Sequence, residues 1–144
     1  MNVGADPPDD AAGRTVGVVQ QKLGIDPVVG WLVCIEGPDR GRDYRIRSGR
    51  NFIGRADQMH ICIHGDSSIS REKHAVLSYD PKHHTFRIAP GDSTGLTYRN
   101  GEPVDVPVVL NARDVIELGL SRLLFVPLCG ADFQWTALDD ERGQ

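Results

Sequence analysis

The chain has 144 residues, of which 40% are hydrophobic and 25% are charged, and its formal net charge at pH 7 is −4. This length and hydrophobic content suit one globular domain with short extensions. Both ends of the chain carry a net negative charge, which leaves the middle slightly basic, and this distribution does not fit the broad Lys/Arg surface of a nucleic-acid-binding protein.

Two further features of the sequence bear on its cellular compartment. No apolar run approaches the roughly 20 residues that cross a bilayer, and residues 1–13 lack the basic start and apolar stretch of a secretion signal. The three cysteines are odd in number and widely spaced, and no CxxC pair occurs, so we predict buried free thiols at Cys34, Cys62 and Cys129. We therefore expect a cytoplasmic protein that does not associate with membranes.

The predicted elements begin after a polar segment. Residues 1–29 are expected to form a flexible arm, because Pro7-Pro8-Asp9-Asp10 and scattered glycines cannot bury enough surface to offset ordering. An apolar run, a Gly/Pro/Asp turn and an alternating segment follow, as is typical of β-strands. Strands are predicted near 31–35, 44–47, 50–54, 60–63, 74–79, 85–89, 96–99, 103–109, 114–118 and 121–128.

This pattern of short strands and polar turns predicts an all-β fold, an antiparallel β-sandwich over residues 30–130. Residues 131–144 are expected to form a short acidic C-terminal tail. We predict that Pro127 lies at a sheet edge, where its missing N–H costs little. Phe133 and Trp135 are expected to fold back over that edge.

Four motifs occur in a fixed order along the strands. They are Phe52-Ile53-Gly54-Arg55, Ile69-Ser70-Arg71-Glu72-Lys73-His74-Ala75, Thr97-Tyr98-Arg99-Asn100-Gly101-Glu102 and Asp114-Val115-Ile116-Glu117-Leu118-Gly119. Together they resemble the forkhead-associated (FHA) domain family, in particular a small single-domain FHA protein of bacterial type. The resemblance covers about residues 31–128 and implies an FHA/SMAD-like sandwich that binds phosphothreonine peptides through loops at one end.

The resemblance implies a role for each residue of the first two motifs. Arg55 matches the arginine that clamps the phosphate, and its planar fork of donors suits two phosphate oxygens. Ser70 matches the serine whose hydroxyl bonds the phosphate, and Arg71 is a candidate second cation. Gly54 is expected to supply a backbone angle ahead of Arg55. His74 is expected to lock the loop as a structural residue.

The sequence departs from the family pattern at two places. Ser70 and His74 are four positions apart and not three, and we expect a one-residue bulge that keeps Ser70 facing the ligand. Thr94 stands where the family has an asparagine, so Ser93 or Thr94 is expected to meet the peptide with a weaker grip. Asn100-Gly101 matches a second Asn-Gly of the family. It is a candidate contact, although a hairpin turn is its main expected role.

Catalytic and metal chemistry find no support in the sequence. No serine stands in a nucleophile motif with a His/Asp set, and no phosphate-binding P-loop occurs. His60, Cys62 and His64 alternate and can share one strand face, but a metal site needs a further ligand. We therefore predict that the protein is not an enzyme and has no cofactor and no metal site.

The leading hypothesis is a signalling module that binds a threonine-phosphorylated protein, which implies an upstream Ser/Thr protein kinase. Thr15 in the arm is a candidate for self-binding after phosphorylation, because a tether raises effective concentration. The alternative is a scaffold that keeps the fold and binds its partner without phosphate. The altered spacing and Thr94 motivate this alternative, and substitution of Arg55 separates the two.

Overall fold

The computed structural model describes residues 26–135. Within this range no helix has the length and apolar character of a membrane-spanning segment. The chain forms eleven strands: β1 (Val28–Glu36), β2 (Asp43–Arg47), β3 (Gly49–Gly54), β4 (Ile61–Cys62), β5 (Ala75–Asp80), β6 (Thr85–Pro90), β7 (Thr97–Arg99), β8 (Glu102–Pro103), β9 (Val108–Val109), β10 (Val115–Leu118) and β11 (Ser121–Pro127).

The strands make two sheets that pack face to face. One sheet has six strands in the order β2-β1-β11-β10-β7-β8, and the other has five in the order β4-β3-β5-β6-β9. All neighbours are antiparallel except β3 and β4, which pair in parallel through Ile53–Ile61 and Gly54–Cys62. The predicted all-β sandwich is confirmed, with this one parallel pair as an addition.

The core lies between the two sheets, where alternate residues of each strand point inward. In β5 the inward positions are Ala75, Leu77 and Tyr79, and the residues between them are half-buried. Phe86 of the five-stranded sheet meets Phe125 of the six-stranded sheet edge-on, with ring centroids 4.8 Å apart. Such aromatic pairs add to the free energy gained from burial, so this contact helps to hold the sheets together.

Two expectations about the C-terminal part of the domain meet different outcomes. The edge position predicted for Pro127 is wrong, because β11 lies in the interior of its sheet between β1 and β10. Pro127 is tolerated there as the last residue of the strand. Trp135 folds back as expected: its Nε1 donates to the Val28 carbonyl at 2.7 Å, and Trp135 and Phe133 pack against the core.

The cysteines also differ from one another. Cys34 and Cys129 are buried free thiols, as predicted, but Cys62 is only half-buried. Ile61 and Ile63 point into the core, so the two-residue period of the chain directs Cys62 outward. Its thiol faces a surface cluster described below.

Candidate functional site

Three loops meet at one end of the sandwich. They are the β3–β4 loop (residues 55–60), the β4–β5 loop (residues 63–74) and the β6–β7 loop (residues 91–96). Arg55 N donates to the Ser70 carbonyl at 3.1 Å, which joins the first loop to the second. Asp92 N donates to the Lys73 carbonyl at 3.0 Å, which joins the third loop to the second. The backbone therefore builds one continuous surface from three separate stretches of sequence.

Arg55 is positioned by its own side chain as well as by its backbone. Its Nε donates to the Ile69 carbonyl at 2.8 Å, so the side chain runs along the β4–β5 loop. Within residues 26–135, neither terminal guanidinium nitrogen makes a hydrogen bond or an ion pair. The half-buried Arg55 side chain thus keeps donors that no carboxylate of the described part of the chain neutralises.

His74 connects Ser70 to the third loop. The Ser70 N–H donates to His74 Nδ1 at 3.0 Å, so the proton of the neutral ring is on Nε2. His74 Nε2 lies 2.8 Å from the Leu96 carbonyl and donates to it. Because His74 is 1% exposed, these two bonds fix the relative positions of the β4–β5 and β6–β7 loops with little competition from water.

The extra residue between Ser70 and His74 does not form a strand bulge. Residues 70–74 lie in a loop, and Lys73 takes up the added length with a left-handed backbone (φ 46°). His74 still reaches the Ser70 N–H, so the longer spacing leaves this bond intact. Within the described residues, Ser70 Oγ makes no hydrogen bond.

The end of β3 and the β6–β7 loop approach their neighbours so closely that only glycine fits at certain positions. A Cβ on Gly54 would lie 2.5 Å from the Arg71 carbonyl oxygen, and a Cβ on Gly95 would lie 2.4 Å from His74 Cε1. Gly54 has no positive φ, so the expected special backbone angle is wrong. Its function is to let the β4–β5 loop pass against the end of β3.

The other cations of the β4–β5 loop differ in their surroundings. Arg71 is exposed, and its carbonyl accepts from Ala56 N at 2.9 Å. Lys73 Nζ lies 4.9 Å from the centre of the Phe52 ring and 3.6 Å from Asp92 Oδ2. The Lys73 ammonium therefore already has an aromatic ring and a carboxylate as neighbours, whereas the Arg71 side chain is exposed to solvent.

Ser93 and Thr94 lie in the β6–β7 loop, and Thr94 is exposed. Ser93 Oγ accepts from Gly95 N at 3.3 Å, which bends the loop over itself. Sequence reasoning placed both residues near the peptide, and the structure brings their loop against His74. Thr94 is thus available to a ligand that crosses the three loops.

Asn100 is not brought to this surface. It lies at the end of β7 opposite the β6–β7 loop, and it has a left-handed backbone (φ 52°) in the β7–β8 hairpin. Its amide is used locally: Nδ2 donates to Asp114 and Oδ1 accepts from Val115 N at 2.9 Å. Gly101 follows with φ 86°, so Asn100-Gly101 forms a hairpin turn away from the other candidates.

Asp66 is a positioning residue that sequence reasoning missed. It is 2% exposed, and its Oδ2 accepts from Leu120 N at 2.8 Å and Ser121 Oγ at 2.7 Å. Burial alone would raise the pKa of Asp66, but its hydrogen bonds outweigh burial and hold the pKa below its usual range. Asp66 thereby ties the β4–β5 loop to the β10–β11 turn. The only sequence signal was an aspartate in a Gly-Asp-Ser-Ser turn.

The surface defined by the three loops is suited to an anion held by hydrogen bonds. Arg55, Ser70 and Arg71 are neighbours in it: Arg55 N donates to the Ser70 carbonyl and Ala56 N to the Arg71 carbonyl, so two guanidinium groups and a hydroxyl belong to adjoining residues. Charge-assisted donors of this kind bind phosphate and carboxylate groups. The loops are held rigidly by buried polar contacts, so little ordering is required when a ligand binds.

Comparison with known proteins places this arrangement in a family. The family model of the FHA domain matches residues 51–119. Among curated protein sequences, none matches the chain significantly.

Three solved structures illustrate the likeness. An FHA domain from a structural and functional analysis of phosphothreonine-dependent FHA domain interactions is 31% identical (TM-score 0.58), with 67% of this chain and 94% of that chain covered. The FhaA FHA domain, complexed with the intracellular domain of Rv3910, is 30% identical (TM-score 0.57), with 67% and 98% covered. The FHA domain of an Arabidopsis thaliana hypothetical protein is 28% identical (TM-score 0.63), with 72% and 88% covered. The chain belongs to the FHA domain family.

Proposed function

We propose that this protein is a phosphopeptide-binding interaction module, not an enzyme, and that it binds a phosphorylated threonine at the three-loop surface. The observation that carries the proposal is Arg55, whose side chain is anchored through Nε to the Ile69 carbonyl. This anchor leaves the two terminal nitrogens to face a ligand. A fork of donors held in this way matches two oxygens of one phosphate group.

The remaining contacts follow from the neighbours of Arg55. Ser70 Oγ can donate one bond to the phosphate, and the exposed guanidinium of Arg71 can approach from solvent. Hydrogen bonds to charged groups contribute about 1.5–3 kcal/mol each. Two bonds from Arg55 alone would then separate the phosphorylated peptide from the unmodified one by at least about 100-fold in affinity. Thr94 and Ser93 are proposed to meet the peptide backbone.

The solved relatives support this proposal. One belongs to an analysis of phosphothreonine-dependent FHA domain interactions. Another was solved as a complex with the intracellular domain of a second protein. Both are at least 30% identical to this chain, and the alignment covers 94% or more of each.

The alternative is a scaffold that binds without phosphate, and the local geometry favours the phosphate-dependent function. The added residue that motivated the alternative is taken up at Lys73. The Ser70 N–H stays bonded to His74 and the Ser70 carbonyl accepts from Arg55 N, so the backbone keeps Ser70 beside Arg55. Thr94, which stands where the family has an asparagine, alters the proposed hydrogen bonds to the peptide backbone. It does not alter the proposed phosphate donors.

The partner is proposed to be a threonine-phosphorylated protein, and a Ser/Thr protein kinase is its upstream enzyme. Thr15 is a further candidate ligand, in the same chain or in a second copy, and lies outside the described residues. Kinase treatment of the full chain tests this part: self-association that disappears in the Thr15→Ala variant supports it. Identical behaviour before and after phosphorylation contradicts it.

The experiment for the main proposal is capture from a degenerate phosphothreonine peptide library by three proteins: wild type, Arg55→Ala and Arg50→Ala. Arg50 is an exposed arginine at the opposite end of β3, so its variant matches the charge change away from the three loops. We expect capture by wild type and Arg50→Ala and loss of capture in Arg55→Ala. Equal capture by all three proteins contradicts the proposal.

A further inference from the structure

A second cluster of polar side chains lies beside the β3–β4 loop. Asp57 of that loop, Cys62 at the end of β4 and His64 just beyond it point toward a common centre. Cys62 Sγ is 3.4 Å from His64 Nε2 and 4.0 Å from Asp57 Oδ1. His64 Nε2 is 3.6 Å from the same Asp57 oxygen. A thiol, an imidazole and a carboxylate thus form a triangle of three potential metal ligands.

The size of this triangle matches one face of a tetrahedral metal site. Zinc bonds of about 2.3 Å to sulfur and 2.0–2.2 Å to nitrogen and oxygen give ligand–ligand edges of about 3.3–3.7 Å. The observed edges are 3.4, 3.6 and 4.0 Å. Only the 4.0 Å distance between Cys62 Sγ and Asp57 Oδ1 must shorten. The Asp57 side chain is 94% exposed, so it can rotate toward the thiol.

The His64 ring also has a carboxylate neighbour on the side away from Cys62 and Asp57. Asp39 Oδ2 lies 3.8 Å from His64 Nδ1 and accepts from the His64 backbone N at 3.2 Å. The same carboxylate is anchored by the Tyr44 hydroxyl at 2.7 Å. A carboxylate behind the second ring nitrogen is the usual means of orienting a metal-binding histidine. It leaves Nε2 directed at Cys62 and Asp57.

We propose that Asp57, Cys62 and His64 bind one zinc ion, with water as the fourth ligand. Sulfur and imidazole ligands select zinc over magnesium or calcium, which prefer oxygen ligands. On binding, the Cys62 thiol gives up its proton to solvent and the thiolate bonds the metal. Three protein ligands and one water leave a position open to exchange.

Zinc at this position would stiffen the β3–β4 loop that carries Arg55, because Asp57 of that loop would share the metal ion with Cys62 and His64. The proposal is independent of phosphopeptide binding, since no residue of the cluster is among the proposed phosphate donors. Either can fail without the other.

The test uses the full chain, with Zn²⁺ for affinity and Co²⁺ as a spectroscopic substitute. We expect one Zn²⁺ per chain, and a Co²⁺ complex with a thiolate charge-transfer band and the strong visible absorption of tetrahedral cobalt. The other two cysteines are buried, so such a band reports Cys62. In Cys62→Ser the band should vanish and zinc affinity should fall by about 100-fold or more.

A control and a second variant keep the test decisive. His83→Ala removes an exposed histidine that lies outside the cluster and pairs with Asp80 at 2.8 Å, and it should bind zinc like the wild type. Asp57→Asn, on a fully solvated side chain, should fold normally and bind zinc more weakly. Absence of zinc binding in the wild type, or equal zinc affinity in wild type and Cys62→Ser, overturns the proposal. A cobalt spectrum without a thiolate band does the same.

Discussion

The buried ring of His74 is expected to hold the ligand-binding loops together, and His74→Ala is the change that removes it. The ring accepts from the Ser70 N–H at 3.0 Å and donates to the Leu96 carbonyl at 2.8 Å. In the variant both backbone groups lose their partners, and the space against Gly95 is left unfilled. The β4–β5 and β6–β7 loops then lose the buried connection through His74, while the Lys73–Asp92 ion pair between them remains.

The expected loss of stability follows from the two backbone groups that lose their partner, the Ser70 N–H and the Leu96 carbonyl. A polar group left without a partner costs about 1–3 kcal/mol. Leu96 is exposed and Ser70 is half-buried, so we expect water to replace the ring more easily at the Leu96 carbonyl than at the Ser70 N–H. The expected loss in the free energy of unfolding is therefore about 2–4 kcal/mol. This is a large share of the 5–15 kcal/mol typical of a domain.

Urea unfolding of wild type, His74→Ala and His83→Ala measures this loss. His83 is exposed and bonded only to its own turn, so its removal should cost less than about 1 kcal/mol. Phosphopeptide affinity of the folded His74→Ala protein should fall by about tenfold or more, because Ser70 is no longer held. A loss of stability equal to that of His83→Ala, with unchanged peptide affinity, would refute the reasoning.

Three further substitutions separate the site from the rest of the fold. Gly54→Ala should lower stability by about 1–3 kcal/mol and weaken phosphopeptide binding, because its Cβ would lie 2.5 Å from the Arg71 carbonyl oxygen. Gly101→Ala should lower the free energy of unfolding by about 1 kcal/mol, because Gly101 has a positive φ, and should leave peptide affinity unchanged. Equal peptide affinities in the Gly54→Ala and Gly101→Ala proteins contradict the prediction. The folded pKa of Asp66 is depressed, so its stabilising effect is present above the unfolded pKa near 3.9 and disappears as the pH falls through the folded pKa. Urea midpoints measured from pH 7 to pH 2 should therefore fall less steeply in Asp66→Asn, which is already less stable at pH 7, and parallel curves would rule this out.

Much of the fold could be predicted because the strand signal is local. The two-residue alternation of β5 and the Gly/Pro/Asp turns around it appear in the sequence itself. Strand order is not local, which is why Pro127 was assigned to an edge although β11 lies inside its sheet. The segment predicted as one strand over 103–109 is two short strands, β8 and β9, which belong to different sheets.

The candidate site was predictable from its motifs but not from its contacts. Arg55, Ser70 and His74 were found by their order along the chain. The reason for Gly54 could not be found, because it depends on the Arg71 carbonyl, which is distant in sequence. Asn100 was a candidate since its motif matched, yet its amide bonds to other residues at the far end of β7.

The cluster of Asp57, Cys62 and His64 could also be predicted only in part, because its third member depends on contacts in the folded protein. Alternation placed His60, Cys62 and His64 on one face, but β4 ends at Cys62. His60 Nδ1 instead accepts from the Phe52 N–H at 3.1 Å. Asp57 takes the third position, and only the folded loop reveals it.

The central claim is that binding depends on phosphate held by Arg55. Its most direct measurement is a titration of the full chain with one library-selected peptide, before and after phosphatase treatment. The account predicts that removal of the phosphate weakens binding by at least about 100-fold, since two charge-assisted bonds are lost. Equal affinity for the two forms of the peptide would contradict the account and favour a scaffold that binds without phosphate.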